Sequence, residues 1–176
     1  IGNATTDPGS EGGGIFCSTG QSSIHNVDIS GNQSAGPGGG LHYRMLSVHD
    51  WGTHTLSNCT VVGNSGARGG GILCEGAGPI NQVLIQNCQI SQNHARGGSG
   101  GGISFDNCNP EIAYCDISDN STTHFGGGLY GSESSKPTIL DTTITGNTAD
   151  VGGGGMYVDT VTTPDTEFSL TAVVLC

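Results

Sequence analysis

The 176-residue chain has little positive charge and few aromatic side chains. Only four residues are Lys or Arg, against 15 Asp and Glu, which gives a formal net charge of −11. A chain this acidic lacks the basic surface that binds nucleic acids, and an anionic lipid surface would repel it. The sequence also contains no run of 18 apolar residues, so we predict no direct insertion into a membrane.

A helical pattern is missing as well, because no ten-residue window has an apolar period of 3.6 residues. The chain is instead rich in glycine, with 33 Gly residues, many of them in runs of three. Six of these runs precede an apolar residue, in the segments EGGGIFC, PGGGLHY, RGGGILC, SGGGISF, FGGGLY and GGGGMYV. Glycine is the residue that loses most conformational freedom on folding, so its repetition requires a structural reason.

Each glycine run follows an Asn and a short polar segment. The six Asn residues are separated by 29, 32, 29, 27 and 27 positions, and a period in this range is typical of solenoid proteins. They are Asn3, Asn32, Asn64, Asn93, Asn120 and Asn147. Six glycine runs in step with six Asn indicate a structural repeat.

Apolar residues recur at alternate positions within each repeat. Pairs such as Ile72 and Cys74 after the glycines, with Ile85 and Ile90 further on, follow the period of β-strands. One repeat cannot bury its apolar face alone, but stacking on its neighbours can. We therefore predict an all-β fold: a parallel β-helix of about six rungs, each of three short strands, forming a single solenoid domain over residues 1–176. A rung here means one full circuit of the coil.

This fold gives the Asn and Gly residues a role. In a column of Asn, each side-chain amide can hydrogen-bond to its copies on the rungs above and below, and Asn tolerates the left-handed conformation of a sharp turn. The glycines would let the backbone bend and pack closely where a Cβ would clash.

The seven cysteines also follow the repeat. Cys59, Cys88 and Cys115 share one register, and Cys17 and Cys74 share another. Two interpretations stay open: a column of small buried apolar side chains, or disulfides between neighbouring rungs, since their Cα atoms would lie within bridging range. No CxxC pair is present, so we predict no metal site and no cofactor.

The alternation of GGGI or GGGL with NCxI(S/T)xN resembles the repeats of polymorphic outer-membrane proteins, with closest matches in LSNCTVVGN, IQNCQISQN and YCDISDN. It equally resembles the wider group of right-handed parallel β-helix proteins on bacterial surfaces. The resemblance implies a right-handed coil and a role in surface display, adhesion or architecture. Ile or Val replaces the Phe of the family pattern, and no autotransporter barrel is recognisable.

Two groups of residues are candidates for contact with a glycan or a protein partner. The first lies in or beside the longest departure from the repeat, HYRMLSVHDWGTH, whose Trp could stack on a sugar ring: Arg44, His49, Asp50, Trp51 and His54. The second is a set of cationic side chains at the turn after the Asn column: Arg68, His94, Arg96 and His124. Either group could equally be structural, an enlarged loop or an offset to nearby acids.

No catalytic residues are predicted. Asp28 and Asp116 share a register but lie three rungs apart, too far to form the carboxylate pair of a glycosidase. We expect a non-enzymatic structural protein, extracellular or at the cell surface: an adhesin shaft, a stalk or a filament subunit. The alternative is a polysaccharide-binding or polysaccharide-cleaving domain that uses the loop around Trp51. Both ends of the chain read as mid-repeat sequence, so we expect a segment of a longer solenoid, or a subunit that stacks end to end.

Overall fold

The structure is a computed structural model that describes residues 2–18, 20–45, 52–76, 82–132, 135–159, 169–171 and 173–176, with backbone alone at Ser169 and Leu170. Within these residues every regular element is a β-strand, and all strand pairs are parallel. The strands form four sheets of six strands each, and the chain visits sheets A, B, C and D in order before it starts the next rung. The predicted parallel β-helix is confirmed, with about five complete rungs.

Sheets A and B contain the residues that follow the Asn and the glycines respectively. The strands of sheet A are Ala4–Thr5, Gln33–Ser34, Ser65–Gly66, His94–Ala95, Ser121–Thr122 and Thr148–Ala149. The strands of sheet B are Ile15–Ser18, Leu41–Arg44, Ile72–Glu75, Ile103–Asp106, Leu129–Gly131 and Met156–Val158.

Sheets C and D contain the residues that lead up to the next Asn. The strands of sheet C are Ser23–His25, Thr53–Ser57, Gln82–Gln86, Asn109–Ala113, Thr138–Leu140 and Ser169–Thr171. The strands of sheet D are Asp28–Ser30, Thr60–Val62, Gln89–Ser91, Asp116–Ser118, Thr143–Thr145 and Val174–Leu175.

The sequence pattern missed the strand that each rung contributes to sheet A, since three strands per rung were predicted and four are present. Its strands are two residues long and mostly polar, as in Gln33–Ser34 and Ser121–Thr122. Two residues are too few to show a period-2 pattern, so this segment has the composition of a polar turn.

Three corners of each rung contain a residue with positive φ. One is the first glycine of each run, as at Gly69 (φ 57°) and Gly100 (φ 76°). Between sheets C and D the left-handed residues are Asn26, Asn58, Asn87, Tyr114 and Asp141. Between sheets D and A they are Gly31, Gly63, Gln92, Asp119 and Gly146. The expectation that the column Asn adopts this conformation is therefore wrong: the residue before it does.

The inside of the coil is filled by columns of side chains, one per strand position. The column that starts each strand of sheet B pairs Ile15, Leu41, Ile72, Ile103, Leu129 and Met156 in register. In the column two residues later, the large Tyr43 and Phe105 alternate with Cys17, Cys74 and Gly131. A Cβ at Gly131 would overlap the Phe105 ring, so small residues leave room for their large neighbours.

The number of residues per rung varies in some of the connections between sheets and is constant in others. From the inward residue of sheet C to the Asn, five rungs have the same eight-residue spacing, as from Ile85 to Asn93. From sheet B to sheet C the spacing ranges from nine residues, between Ile103 and Ile112, to 15, between Leu41 and Leu56. Length changes there leave the register of all four sheets intact.

Candidate functional site

The six Asn residues stack as a continuous hydrogen-bonded ladder at the start of sheet A. In each step, the backbone N–H and the side-chain amide of one Asn both donate to Oδ1 of the Asn on the next rung, at 2.9–3.1 Å. The second amide proton is donated to a backbone carbonyl of sheet D, as from Asn93 Nδ2 to the carbonyl of Val61 at 2.9 Å. Asn93 and Asn120 are completely buried. The ladder thus satisfies polar groups that the fold has removed from water.

The glycine runs fit closely around this ladder. A Cβ at Gly71, the third glycine of its run, would lie 2.9 Å from Cγ of Asn93 and 2.6 Å from the carbonyl oxygen of Gly102. A Cβ at Gly70, the second glycine, would lie 2.5 Å from the carbonyl oxygen of Gly101. The first glycine of each run is required for its positive φ and the other two for space. This accounts for three glycines in a row.

Cys59, Cys88 and Cys115 form a second ladder, between sheets C and D. All are buried and all are free thiols. Each S–H donates to the backbone carbonyl two residues earlier, as from Cys88 to Gln86 at 3.2 Å and from Cys115 to Ala113 at 3.2 Å. Thr142 makes the equivalent bond on the next rung, to Leu140 at 2.8 Å. These cysteines therefore pack as small side chains that satisfy their own donor, which is the first of the two interpretations.

The stacked thiols affect one another's ionisation. When Cys88 ionises, its thiolate can accept a hydrogen bond from the Cys115 thiol, and this lowers the pKa of Cys88 to about 7. The same contact with Cys88, together with burial, raises the pKa of Cys115. Cys88 is therefore the member of the ladder that ionises first.

A group of charged side chains lies on the outer face of sheet B, and the sequence reasoning missed it. Arg68 pairs with Glu75 and, at 3.1 Å, with Asp106. Glu75 also accepts from Nε2 of the buried His42 at 3.0 Å. Arg44, Glu75 and Asp106 are in register as the last residues of three consecutive strands. Their shared position after the glycines, in GGGLHYR, GGGILCE and GGGISFD, was the available signal.

This charged group is arranged for stability rather than for proton transfer. The hydrogen bond from His42 and the charge of Arg68 lower the pKa of Glu75, so it is ionised at neutral pH and is a poor general acid. His42 is fully buried, so its ring cannot reach a substrate. The side chain of Asp106 also accepts from Ser132 at 2.7 Å.

The predicted contact residues around Trp51 are only partly placed. Arg44 ends a strand of sheet B and forms an ion pair with Glu11. His54 lies on the inward face of sheet C, where it is buried, accepts or donates at Nδ1 with the Ser22 hydroxyl at 2.7 Å, and packs on the Tyr43 ring. The other three members, His49, Asp50 and Trp51, lie outside the described residues.

The four predicted cationic residues do not form one column. His94 is in register with Ser65 and Ser121 in sheet A, and its ring bonds to the Ser121 hydroxyl at 2.9 Å. Arg96 reaches two rungs back to donate to the carbonyl of Ser34, and Arg68 is held by Glu75.

The remaining member of that set, His124, is exposed and bonds to the neighbouring Thr123 hydroxyl. The arrangement therefore offers no stacked row of cations to an anionic glycan.

The acidic residues remain dispersed along the coil. Asp28 and Asp116 share a column of sheet D with Thr60 and Gln89 between them, which puts them about 14 Å apart. Among the described residues, no three His, Cys, Asp or Glu side chains are grouped closely enough to hold a metal ion. No helix long and apolar enough to cross a membrane occurs in the described part of the chain.

Comparison with known proteins agrees with this geometry. No match was found among curated proteins or among solved structures. A family described as "Right handed beta helix region" matches residues 13–168, which is most of the chain and includes five of the six ladder Asn residues. The chain belongs to the right-handed β-helix family.

Proposed function

We propose that this β-helix is a rigid structural shaft in an extracellular or surface-exposed bacterial protein, such as an adhesin, a stalk or a filament. The observation that carries the proposal is the Asn ladder, which joins every rung to the next through two hydrogen bonds from the same residue. Together with four parallel sheets it resists bending and shear along the whole axis.

The internal pairing of the charged and polar side chains supports the same proposal. The carboxylates of the charged group on sheet B are already paired with Arg68 or His42 inside the protein. Arg44 and His54, the two described members of the contact group predicted around Trp51, are also engaged internally. A shaft is therefore the function that the described geometry supports best, in preference to a polysaccharide-cleaving domain.

The finer proposal is that the repeats are of the polymorphic outer-membrane type, displayed on a bacterial surface. Its support is the repeat NCxI(S/T)xN, in which the Cys, the Ile and the Asn all point inward: Cys88, Ile90 and Asn93 are buried. Antibodies raised against the chain should label intact source cells as strongly as lysed ones. Labelling that requires lysis would refute surface display.

The mechanical part of the proposal is tested by pulling and imaging the same protein. Single-molecule stretching along the axis should show high resistance, released in steps of one rung at a time, and Asn93→Ala should lower the force. Electron microscopy then distinguishes whether the shaft contacts other copies of itself or other molecules. Fibres with a repeat at a multiple of about 4.8 Å indicate end-to-end stacking of copies, and discrete short rods indicate that the shaft contacts other molecules. A protein that extends at negligible force is not a shaft.

A further inference from the structure

Tyr114 has a backbone conformation that does not suit its side chain. The corner between sheets C and D requires a left-handed residue, and other rungs use Asn26, Asn58, Asn87 and Asp141 there. Tyr114 has a φ of 55° at the same corner. Asn and Asp adopt this conformation readily because their short polar side chains bond locally, whereas a bulky side chain is strained in it.

Burial does not compensate for this strain. The Tyr114 side chain is 61% exposed, the largest exposure of any large apolar residue in the described part of the chain. Its hydroxyl makes no hydrogen bond within the described residues, and its ring contacts no other described aromatic ring. The fold requires the left-handed backbone at this corner but not a Tyr side chain on it, and backbone strain of this kind is concentrated at binding and active sites.

The side chains around Tyr114 are polar and exposed. Asn87 and Asp141 occupy the same corner on the two adjacent rungs, as shown by the backbone bonds from Asn87 to Ala113 and from Tyr114 to Leu140. The neighbouring outer column of sheet D places Gln89, Asp116 and Thr143 in register. All six side chains at this surface are exposed. They repeat at about 4.8 Å, and so form a shallow patch across three rungs.

The chemistry of this patch defines what it would bind. Amide and hydroxyl groups can both donate to and accept from sugar hydroxyls, and a Tyr ring supplies apolar contact at a low cost in conformational entropy. Asp116 and Asp141 would repel uronic acids, sulfates and phosphates. The strands of sheet D on these rungs contain no Lys or Arg to offset them.

We propose that Tyr114 is the stacking residue of a binding site for neutral polysaccharide, with Asn87, Gln89, Asp116, Asp141 and Thr143 as its hydrogen-bonding rim. This site includes none of the residues predicted around Trp51 and does not depend on the shaft proposal. It would give one face of the coil a glycan contact at the fourth rung.

The test replaces Tyr114 with the residue that the repeat uses elsewhere. Tyr114→Asn should raise the thermal unfolding midpoint by about 2–4 °C, because it relieves the strained corner. The same variant should lose retardation in native gels that contain hydroxyethylcellulose, mannan or xylan, with polygalacturonate as the anionic comparison. Tyr114→Phe retains the ring and should retain most of the retardation. Val151→Asn removes an equally exposed apolar side chain, 60% exposed, from a different corner and should change neither measurement.

Each outcome decides the proposal. A more stable Tyr114→Asn variant that no longer binds a polysaccharide retained by the wild-type protein supports it. Wild-type protein that none of the neutral polysaccharides retards, or a Tyr114→Asn variant retarded as strongly as wild type, overturns it. Binding to polylysine alone, lost in Tyr114→Asn, would also overturn it and would assign the patch to a basic protein partner. A variant that is no more stable than wild type would refute the strain argument.

Discussion

The Asn ladder makes a specific prediction for Asn93, one of its two completely buried members. Truncation in Asn93→Ala removes Oδ1, the acceptor for the backbone N–H of Asn64 at 2.9 Å, and leaves that N–H buried with no partner. It also removes the bond from Asn64 Nδ2 to the same oxygen at 3.0 Å, and the amide bonds from Asn93 to Val61 and to Oδ1 of Asn120. An orphaned buried donor costs about 1–3 kcal/mol and each lost bond about 1 kcal/mol.

We therefore expect Asn93→Ala to lower the free energy of unfolding by about 4 kcal/mol or more. The assay is urea unfolding followed by circular dichroism, with the slope against urea concentration compared between variants to show that the native surface is unchanged. Asn3→Ala is the matched control. Asn3 is exposed, and its side chain makes one bond, from Nδ2 to Asn32 at 3.1 Å, so its loss should cost less than about 0.5 kcal/mol.

A second variant separates hydrogen bonding from packing. Asn93→Asp keeps the shape and both acceptor positions, but it points a carboxylate at the carbonyl of Val61 and at Oδ1 of Asn120. It should destabilise the protein at neutral pH at least as much as Asn93→Ala. If Asn93→Ala cost no more than Asn3→Ala, or if Asn93→Asp were tolerated, the ladder would be a packing feature and the reasoning would fail.

Three further predictions concern the glycines, the charged group and the thiols. Gly71→Ala should destabilise the protein by several kcal/mol in urea, because its Cβ would overlap Asn93, while Gly97→Ala, with its nearest neighbour at 3.9 Å, should be tolerated. The pKa of Glu75 is lower in the folded than in the unfolded protein, so its contribution to stability is complete above the ordinary value of 4.5 and is lost as the pH falls through the lower folded value. Glu75→Gln should therefore reduce the dependence of the thermal unfolding midpoint on pH between about pH 3 and pH 5. In the ultraviolet absorbance of thiolates, Cys88 should titrate with a midpoint near pH 7. Cys115→Ala should move that midpoint to higher pH, and a midpoint that does not move would contradict the contact between the two thiols.

The fold could be predicted from the sequence because the repeat places the same residue types at the same depth on every rung. The columns that begin with Ile15 in sheet B and Ile24 in sheet C pair in the structure as the pattern predicted. The ladder was also predictable, since Asn64 and Asn93 fall in phase with the glycine runs. In each case a single periodicity determines both the position and the environment of the residue.

The features that the sequence reasoning missed depend on lengths, contacts or conformations that a position in the repeat does not specify. The strand Gln33–Ser34 is too short to show alternation. The ion pairs of Arg68 reach side chains on two different rungs, at sequence separations of seven and 38 residues, and only coordinates reveal which carboxylates they meet. The strain at Tyr114 was hidden because the sequence does not indicate which residue of a turn takes the positive φ.

The uneven spacing of the rungs has a consequence for how such a chain can diversify. The eight residues from sheet C to the ladder Asn are fixed, while the connection from sheet B to sheet C extends from nine residues to 15 without shifting any register. New segments can therefore enter along the line between sheets B and C while the hydrogen-bonded core is inherited unchanged. Successive insertions on that line would be spaced by one strand separation, about 4.8 Å. Such an edge would suit grafted peptides, since copies placed there would be presented as a regular, closely spaced array.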